Sequence, residues 1–500
     1  MARTTVARAW RVGDVGAVLR TVGQVCLLVL AVLLAARALY YAWNTVSILR
    51  WPHEAHGGET TMLYESQVLS EGLIDGLRAL YGPQRDDRFL AGNYPPVYIG
   101  LWALEPGASG LPTGRALSLL GGLAAAFAGG LAVFAALRRE TKPGLRLWAG
   151  VLGGATFICT VPVFQQIAIA KPDMTALAFA ACGLAVFEFS TGRRGYILAG
   201  LCFGLGLLTK QSVGFALAAA LVAALRRDRQ AFITLAATVA ATLAVVLGAI
   251  WLLAGNALFE HLVLYNTRPW RADRFESLNE KFLKLHWPIL VPAIAHSLWG
   301  IYARGRSALT YYPLFALVVL FTVGAEGGAR NYYIELCLAA GLGRGLAIAT
   351  LLSNRAVALL PVSAVVLVVA AFYAQQAYTL FIKGLYVPEP PVQDGTFLNA
   401  TLAIADGAPD PVLSDDINYL AIRNRPAVLD DSFLAMIVRN KGLWQPDGIV
   451  AAVQARRYPL IITARNQTDV ELRRLWGDPL VDAIYANYDR AGPTSFVPKK

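Results

Sequence analysis

The sequence predicts a polytopic α-helical membrane protein that carries a small α/β domain at its C-terminus. Three observations carry that prediction. First, 56% of the 500 residues are apolar and only 15% are charged, with a mean hydropathy of +0.50; a soluble chain of this length needs far more polar surface to cover its core. Second, the apolar residues fall in repeated runs of roughly 17–25, the length a helix needs to cross about 30 Å of hydrocarbon. Third, Arg and Lys gather in the short connections at alternate ends of those runs, the asymmetry that orients membrane helices.

The net charge of +11 therefore reads as topology, and no nucleic-acid partner is expected. All of the cysteines, Cys26, Cys159, Cys182, Cys202 and Cys337, lie inside apolar runs without paired spacing, which argues against a disulfide framework or a zinc site. Arg3, Arg8, Arg11 and Arg20 precede the first run. That run lacks a small-residue cleavage site and is long enough to span, so it reads as an uncleaved first helix, about Val22 to Ala42, with the N-terminus in the cytoplasm.

The remaining elements follow by alternation. A long first outside segment, 44–112, carries Glu54, Glu59, Glu65, Glu71, Asp75, Asp86, Asp87 and Glu105, and a half-apolar stretch from Pro96 to Leu104 suits the interface. Span two runs from Thr113 to Leu137 and ends at Arg138, Arg139, Lys142 and Arg146. Spans three (Leu147 to Phe164) and four (Asp173 to Phe189) flank an outer loop and return to Arg193 and Arg194. Spans five (Tyr196 to Leu208) and six (Val213 to Leu225) are a short hairpin with Thr209-Lys210-Gln211 at its outer tip. Span seven, Phe232 to Ala254, leads to an outside loop before span eight, Pro288 to Tyr302. Spans nine (Leu309 to Val323), ten (Tyr332 to Leu351) and eleven (Val357 to Ala377) complete the membrane part, 1–380.

The loop from Asn256 to Lys284 breaks the positive-inside trend with Arg268, Arg271, Arg274, Lys281 and Lys284. It is expected to lie over the site and hold anionic donor or lipid headgroups, with a solvated loop beside anionic lipid as the plainer alternative. After Tyr378 the character changes. Pro388, Pro390 and Pro391 make a stiff linker, and 388–500 reads as an extracytoplasmic α/β domain. Its strands are expected at Pro411-Val-Leu-Ser, Pro426-Ala-Val-Leu and Tyr458-Pro-Leu-Ile-Ile-Thr, and its helices at Ile417 to Arg423, Phe433 to Val438, Gly448 to Arg456 and Val470 to Trp476.

Ionisable residues at a span edge are functional candidates. Glu59 follows Gly57-Gly58 and precedes apolar residues at helical spacing, so it sits at a helix start where N–H groups and the dipole favour a carboxylate; the plain alternative is that it only caps, and that Glu54 is a solvated loop charge. Lys171-Pro172-Asp173-Met174 is ordinary helix-start chemistry, yet it lies at the same face as Glu54, Glu59, Lys210, Arg330 and Glu335. Carboxylates beside fixed cations suit one reaction class: a carboxylate takes the proton of an acceptor hydroxyl attacking an anomeric carbon, while cations stabilise a phosphate leaving group. No Gly-rich phosphate loop, zinc-protease helix or nucleophile elbow occurs in the sequence.

These features resemble the GT-C superfamily of polyprenyl-phosphate-sugar glycosyltransferases, in particular the bacterial branch related to protein mannosyltransferases and aminoarabinose or galacturonic acid transferases. The resemblance rests on His53-Glu54-Ala55-His56-Gly57-Gly58-Glu59, Asn93-Tyr94-Pro95-Pro96-Val97-Tyr98, Lys171-Pro172-Asp173-Met174, Thr209-Lys210-Gln211 and Arg330-Asn331-Tyr332-Tyr333-Ile334-Glu335, in that order and on one side. It implies a GT-C membrane domain in the bacterial inner membrane and an inverting transfer from a polyprenyl-phosphate sugar to an envelope glycan, lipid or protein.

The first-loop base would be Glu59 or Glu54, supported by Asp173. Glu59 is preferred because it adjoins the helical pattern, whereas Glu54 precedes two glycines. Lys210, Arg330 and Lys171 would hold the donor phosphate. Substrate contacts would come from His56, Asn93, Tyr94, Gln211, Arg268, Arg271, Asn331, Tyr332 and Glu335. Members differ over metal, so a divalent ion stays open. The competing readings are a transporter or flippase, which would want midplane charges and two related halves, and a scaffold with a degenerate site.

Overall fold

The computed structural model describes residues 45–105, 110–137, 142–303, 305–353, 395–463 and 468–500, with isolated helical positions between Val25 and Trp43. Span one falls almost wholly, and span eleven and the proline linker fall entirely, outside the described residues, as does the expected boundary between membrane part and C-terminal domain.

The segment 44–112, expected outside, is helical where it is described. It contains α1 (Glu59–Ser70), α2 (Leu73–Tyr81) and α3 (Val97–Ala103). The half-apolar stretch after Pro96 is α3, whose Tyr98, Ile99 and Trp102 are fully buried. The bundle follows as α4 (Leu111–Ala136), α5 (Pro143–Ile158), the short α6 (Val161–Gln166), α7 (Pro172–Phe189), α8 (Arg193–Thr209), α9 (Phe215–Arg227), α10 (Arg229–Ala254), α11 (Ala272–Tyr302), α12 (Ala308–Ala316) and α13 (Ile334–Ser353).

Among the described residues four helical segments are long and apolar enough to cross a membrane: Leu111–Ala136, Pro172–Phe189, Arg229–Ala254 and Arg330–Leu351. Expected spans three, five, six and nine are shorter or interrupted. Span three breaks at Thr160, whose backbone is extended, and the chain restarts as α6 with Pro162 in its first turn, where a proline's missing N–H is not needed.

One expectation is corrected. Span eight does not begin at Pro288: α11 runs unbroken through Pro288 and Pro292, so Arg274, Lys281 and Lys284 stand on a helix and not in a loop. Proline removes one N–H per site, which a membrane helix tolerates where neighbours accommodate the freed carbonyls.

Lipid offers no hydrophobic drive between apolar helices, so they associate where backbones come close. A Cβ on Gly154 would lie 2.5 Å from the Ala126 carbonyl oxygen, and one on Gly150 would lie 2.5 Å from that of Gly130, which joins α5 to α4; on the other side a Cβ on Gly341 would meet the Gly153 oxygen at 2.8 Å, joining α13 to α5. Gly154→Val should therefore cost about 1–3 kcal/mol, the usual penalty of overpacking. Thermal denaturation of the detergent-solubilised chain checks this, and an unchanged midpoint would contradict the packing.

The C-terminal domain holds α14 (Gly395–Asp406), β1 (Val412–Ser414), α15 (Asn418–Ala421), α16 (Ser432–Asn440), α17 (Asp447–Gln454), β2 (Leu460–Ile462), α18 (Asp469–Trp476), α19 (Asp478–Asn487), β3 (Tyr488–Arg490) and β4 (Ser495–Pro498). The sheet order is β1-β2-β4-β3, parallel between β1 and β2 and antiparallel elsewhere. Pro426-Ala-Val-Leu forms no strand of this sheet. It makes single bridges instead, Ala427 to Val412 and Leu429 to Phe89.

That second bridge docks the C-terminal residues onto the segment between α2 and α3. The Phe89 amide donates to Val428 and the Asp430 amide to Phe89, Trp444 Nε1 donates to the Arg85 carbonyl, and Gln67 Nε2 donates to Ala421. Beneath lies a buried carboxyl pair. Asp430 accepts the Ala91 amide with both oxygens, at 2.8 and 2.9 Å, and Glu65 Oε1 accepts the Gly92 amide at 2.8 Å, leaving Oε2 without a partner.

Burial first, and then the proximity of other carboxylates, pushes Asp430 up to about 8 and Glu65 well above the usual carboxylate range. The folded chain thus keeps protons that the unfolded chain releases near ordinary carboxylate values. Stability should fall as pH rises from about 4 through about 8. Unfolding midpoints across that window should decline, and Glu65→Gln should flatten part of the slope; a slope of the opposite sign would refute the assignment.

Candidate functional site

The site lies where the starts of α1 and α7, the end of α8 and the start of α13 meet the C-terminal domain. Gly58, in the left-handed region at φ 94°, turns the chain into α1. The Glu54 carboxylate folds back onto that helix start: Oε1 accepts the Glu59 amide at 2.8 Å and the Thr60 amide at 3.4 Å. Glu54 thereby makes the cap that the plainer reading of the sequence gives to Glu59. Its Oε2 makes no hydrogen bond among the described residues.

Glu59 is elsewhere. It is fully buried, its Oε1 accepts Arg115 Nε at 2.9 Å and the Ala170 amide at 2.7 Å, and its Oε2 accepts Arg115 Nη2 at 2.8 Å and the Ala55 amide at 2.6 Å. Arg115 itself is also fully buried and donates its remaining protons to the carbonyls of Ile48, Trp51 and His53. This geometry speaks for Glu54 over the expected Glu59, because a carboxylate with both oxygens doubly occupied and no solvent access has no free position for a substrate proton. Arg115 went unremarked in the sequence, although a lone cation just inside an apolar run is a signal of its own.

Lys171 stands beside Glu54. Its Nζ donates to His56 Nδ1 at 2.9 Å, and its backbone is pinned to Ser118 of α4. Burial lowers Lys171 from its usual value, opposed by Asp173 and Glu54. Burial also raises Glu54, and Asp416 and Glu59 add to it, carrying it to about 8 against the pull of Lys171.

One residue beyond Pro172, Asp173 Oδ1 accepts Lys210 Nζ at 2.5 Å and Asn331 Nδ2 at 3.2 Å, while Oδ2 is buried without a partner. Burial alone would lower Lys210, but Asp173 and the neighbouring tyrosines outweigh it and the ammonium is held above its usual value. Nζ lies 5.7 Å from the Tyr94 ring centroid and 6.0 Å from that of Tyr332, a partly aromatic cage for a cation.

The other predicted residues divide. Asn93 and Gln211 form the wall next to Tyr94, Gln211 Nε2 donating to the Asn93 carbonyl at 3.0 Å. Arg268 lies over the Phe433 ring of α16 at 5.7 Å and helps to hold down Tyr94, which burial raises. Arg330 is exposed and donates to Gln165 Oε1 at 2.9 Å. Arg271 is an exposed partner of Asp273, and Glu335 Oε1 accepts the Ala216 amide at the start of α9, which gives it a capping contact. The loop expected to cover the site thus contributes Arg268 to it and turns Arg271 outward. Among the described residues no three His, Cys, Asp or Glu side chains come together as a metal site.

At the opposite end of the bundle Arg227 pairs with Glu188 at 2.8 Å and reaches the Phe187 and Arg306 carbonyls. The predicted alternation of basic ends therefore separates this end from the Lys171 and Lys210 end.

At the level of sequence, no family model matches the chain and no curated protein does either. Solved structures do match in shape. ArnT from Cupriavidus metallidurans in the apo state superposes with a TM-score of 0.59 at 14% identity, covering 93% of this chain and 97% of that one. ArnT from the same organism bound to undecaprenyl phosphate gives 0.58 at 15% identity, over 93% and 98%. The Archaeoglobus fulgidus oligosaccharyltransferase tethered to an acceptor peptide with the NVT sequon gives 0.56 at 11% identity, over 96% and 74%. The chain has the fold of these proteins.

Proposed function

We propose that this chain is an inverting glycosyltransferase that moves a sugar from a polyprenyl-phosphate donor to a cell-envelope acceptor, at the extracytoplasmic face of a bacterial inner membrane. About eleven spans, an N-terminus inside and a C-terminal domain outside complete the reading. The observation that carries it is the pairing, at one end of a GT-C fold, of a carboxylate with an unengaged oxygen, Glu54, with two lysines, Lys171 and Lys210. Neighbours of this fold include one bound to undecaprenyl phosphate.

In the proposed step the acceptor hydroxyl attacks the anomeric carbon, its proton passes to Glu54, and the bond from that carbon to the phosphate oxygen breaks with its electron pair left on the phosphate. Lys210, oriented by Asp173, which Asn331 holds in turn, and Lys171 stabilise that developing charge. Because the attack comes from the face opposite the phosphate, the anomeric configuration inverts. Arg268 and Tyr94 line the approach, with Asn93, Gln211 and Tyr332 behind them.

The test is release of polyprenyl phosphate by the purified chain in lipid nanodiscs, given polyprenyl-phosphate sugars and an envelope extract. Product formation that needs both donor and extract is expected. Facilitated movement of the donor across the bilayer without cleavage would favour a flippase and overturn the reading.

A further inference from the structure

The turn that carries Glu54 is held from above, by the C-terminal domain. His53 Nε2 lies 3.0 Å from Asn399 Oδ1 of α14. The Glu54 amide donates to Asn418 Oδ1 at 3.1 Å, and the amide of Asn418, itself almost fully buried, donates to Asp416 Oδ1 at 3.0 Å. Asp416 sits on the turn that leaves β1, which is fixed on both sides: Ser414 Oγ donates to the Asp416 carbonyl at 2.7 Å, and Asp415 Oδ1 accepts Trp476 Nε1 at 2.9 Å. A continuous path therefore runs from the sheet through Asp416 and Asn418 to Glu54.

We infer that the C-terminal domain is a working part of the site, and that Asn418 and Asp416 are positioning residues for the Glu54 carboxyl. The inference rests on the reading of Glu54 as the acceptor-activating base. Holding the turn in place requires the Asn418 amide alone. Setting a second carboxyl next to Glu54 adds repulsion that a purely structural contact has no use for, and its chemical effect is to make Glu54 a stronger proton acceptor.

The groups facing Glu54 are few: Glu59, whose charge is matched by Arg115, Lys171 on the α7 side, and Asp416 from the domain. Asp416 has Asp415 behind it, and burial leads the effects that push it up to about 6. The two carboxyls belong to separate parts of the chain, so the strength of the base depends on the domain being docked.

The experiment follows Glu54 protonation directly. A hydrophobic carbodiimide reacts with protonated carboxyls, so labelling of Glu54 in the full chain in detergent, read by mass spectrometry against pH, reports the midpoint without any substrate. Asp416→Asn should move that midpoint down by about one unit, and Asp416→Glu should restore it. Asp415→Asn, which changes charge on the same turn but one residue removed, should move it less.

In transfer assays Asp416→Asn should shift the acid limb of the pH profile by the same amount, and Asn418→Ala should lower kcat with little change in donor KM. An unmoved labelling midpoint in Asp416→Asn, or an equal shift from Asp415→Asn, overturns the inference. A shifted labelling midpoint with an unshifted transfer profile overturns instead the role of Glu54 as base.

Discussion

Glu54→Gln should lower transfer by ~10²–10⁴-fold, the range that a positioned general base contributes, while the protein still folds and still binds donor. The amide can keep accepting the Glu59 and Thr60 amides through its carbonyl oxygen, so the cap on α1 survives. What it loses is the ability to take a proton at the second position. The wild-type rate should rise with pH, because the carboxyl must first be ionised and is pushed up to about 8 by burial and by Asp416; a bound phosphate held by Lys171 would set the value in the complex. Single-turnover rates against pH, with folding monitored by thermal melting, separate these effects. Near-normal turnover of Glu54→Gln on an identified substrate would remove the mechanism. Asp173→Asn should also be damaging, by a different route, because Lys210 would lose the carboxylate that orients it.

The particular residues show which parts of this were readable in advance. Helix α4, α7 and α10 lie close to the predicted spans because long apolar runs with basic ends allow few other solutions. The common side of Glu54, Lys171, Asp173, Lys210 and Asn331 was also legible, since alternation alone puts those segments at one end. The roles of Glu54 and Glu59 were not, because five residues of separation around two glycines do not reveal which carboxylate meets Arg115 and which meets the helix start. That choice is made by a contact across 56 positions. Asn418, and Asp416 behind it, were invisible for the same reason: Glu54, the partner of Asn418, is 364 positions away. β3, β4 and α19 were missed because three- and four-residue strands beside a short helix carry too little periodicity to stand out.

Removing Arg115 should be the most destabilising single change in the chain. Arg115→Met leaves Glu59 fully buried and without its countercharge, together with the freed carbonyls of Ile48, Trp51 and His53, and breaking a buried pair from one side costs about 3–5 kcal/mol. In a membrane protein that loss reads out as poor recovery of folded material and a collapsed melting transition. Glu59→Gln should behave similarly, because Arg115 is then the unmatched charge. The double variant Arg115→Met with Glu59→Leu removes both charges and should regain much of the stability, since apolar replacements of buried pairs are often tolerated. This pattern distinguishes an anchor from a base: a catalytic Glu59 would leave folding intact in Glu59→Gln, and the double variant would then be no more stable than Arg115→Met. Recovery of the double variant with measurable transfer would instead exclude Glu59 as the base and leave the pair the role of fixing the 51–59 turn.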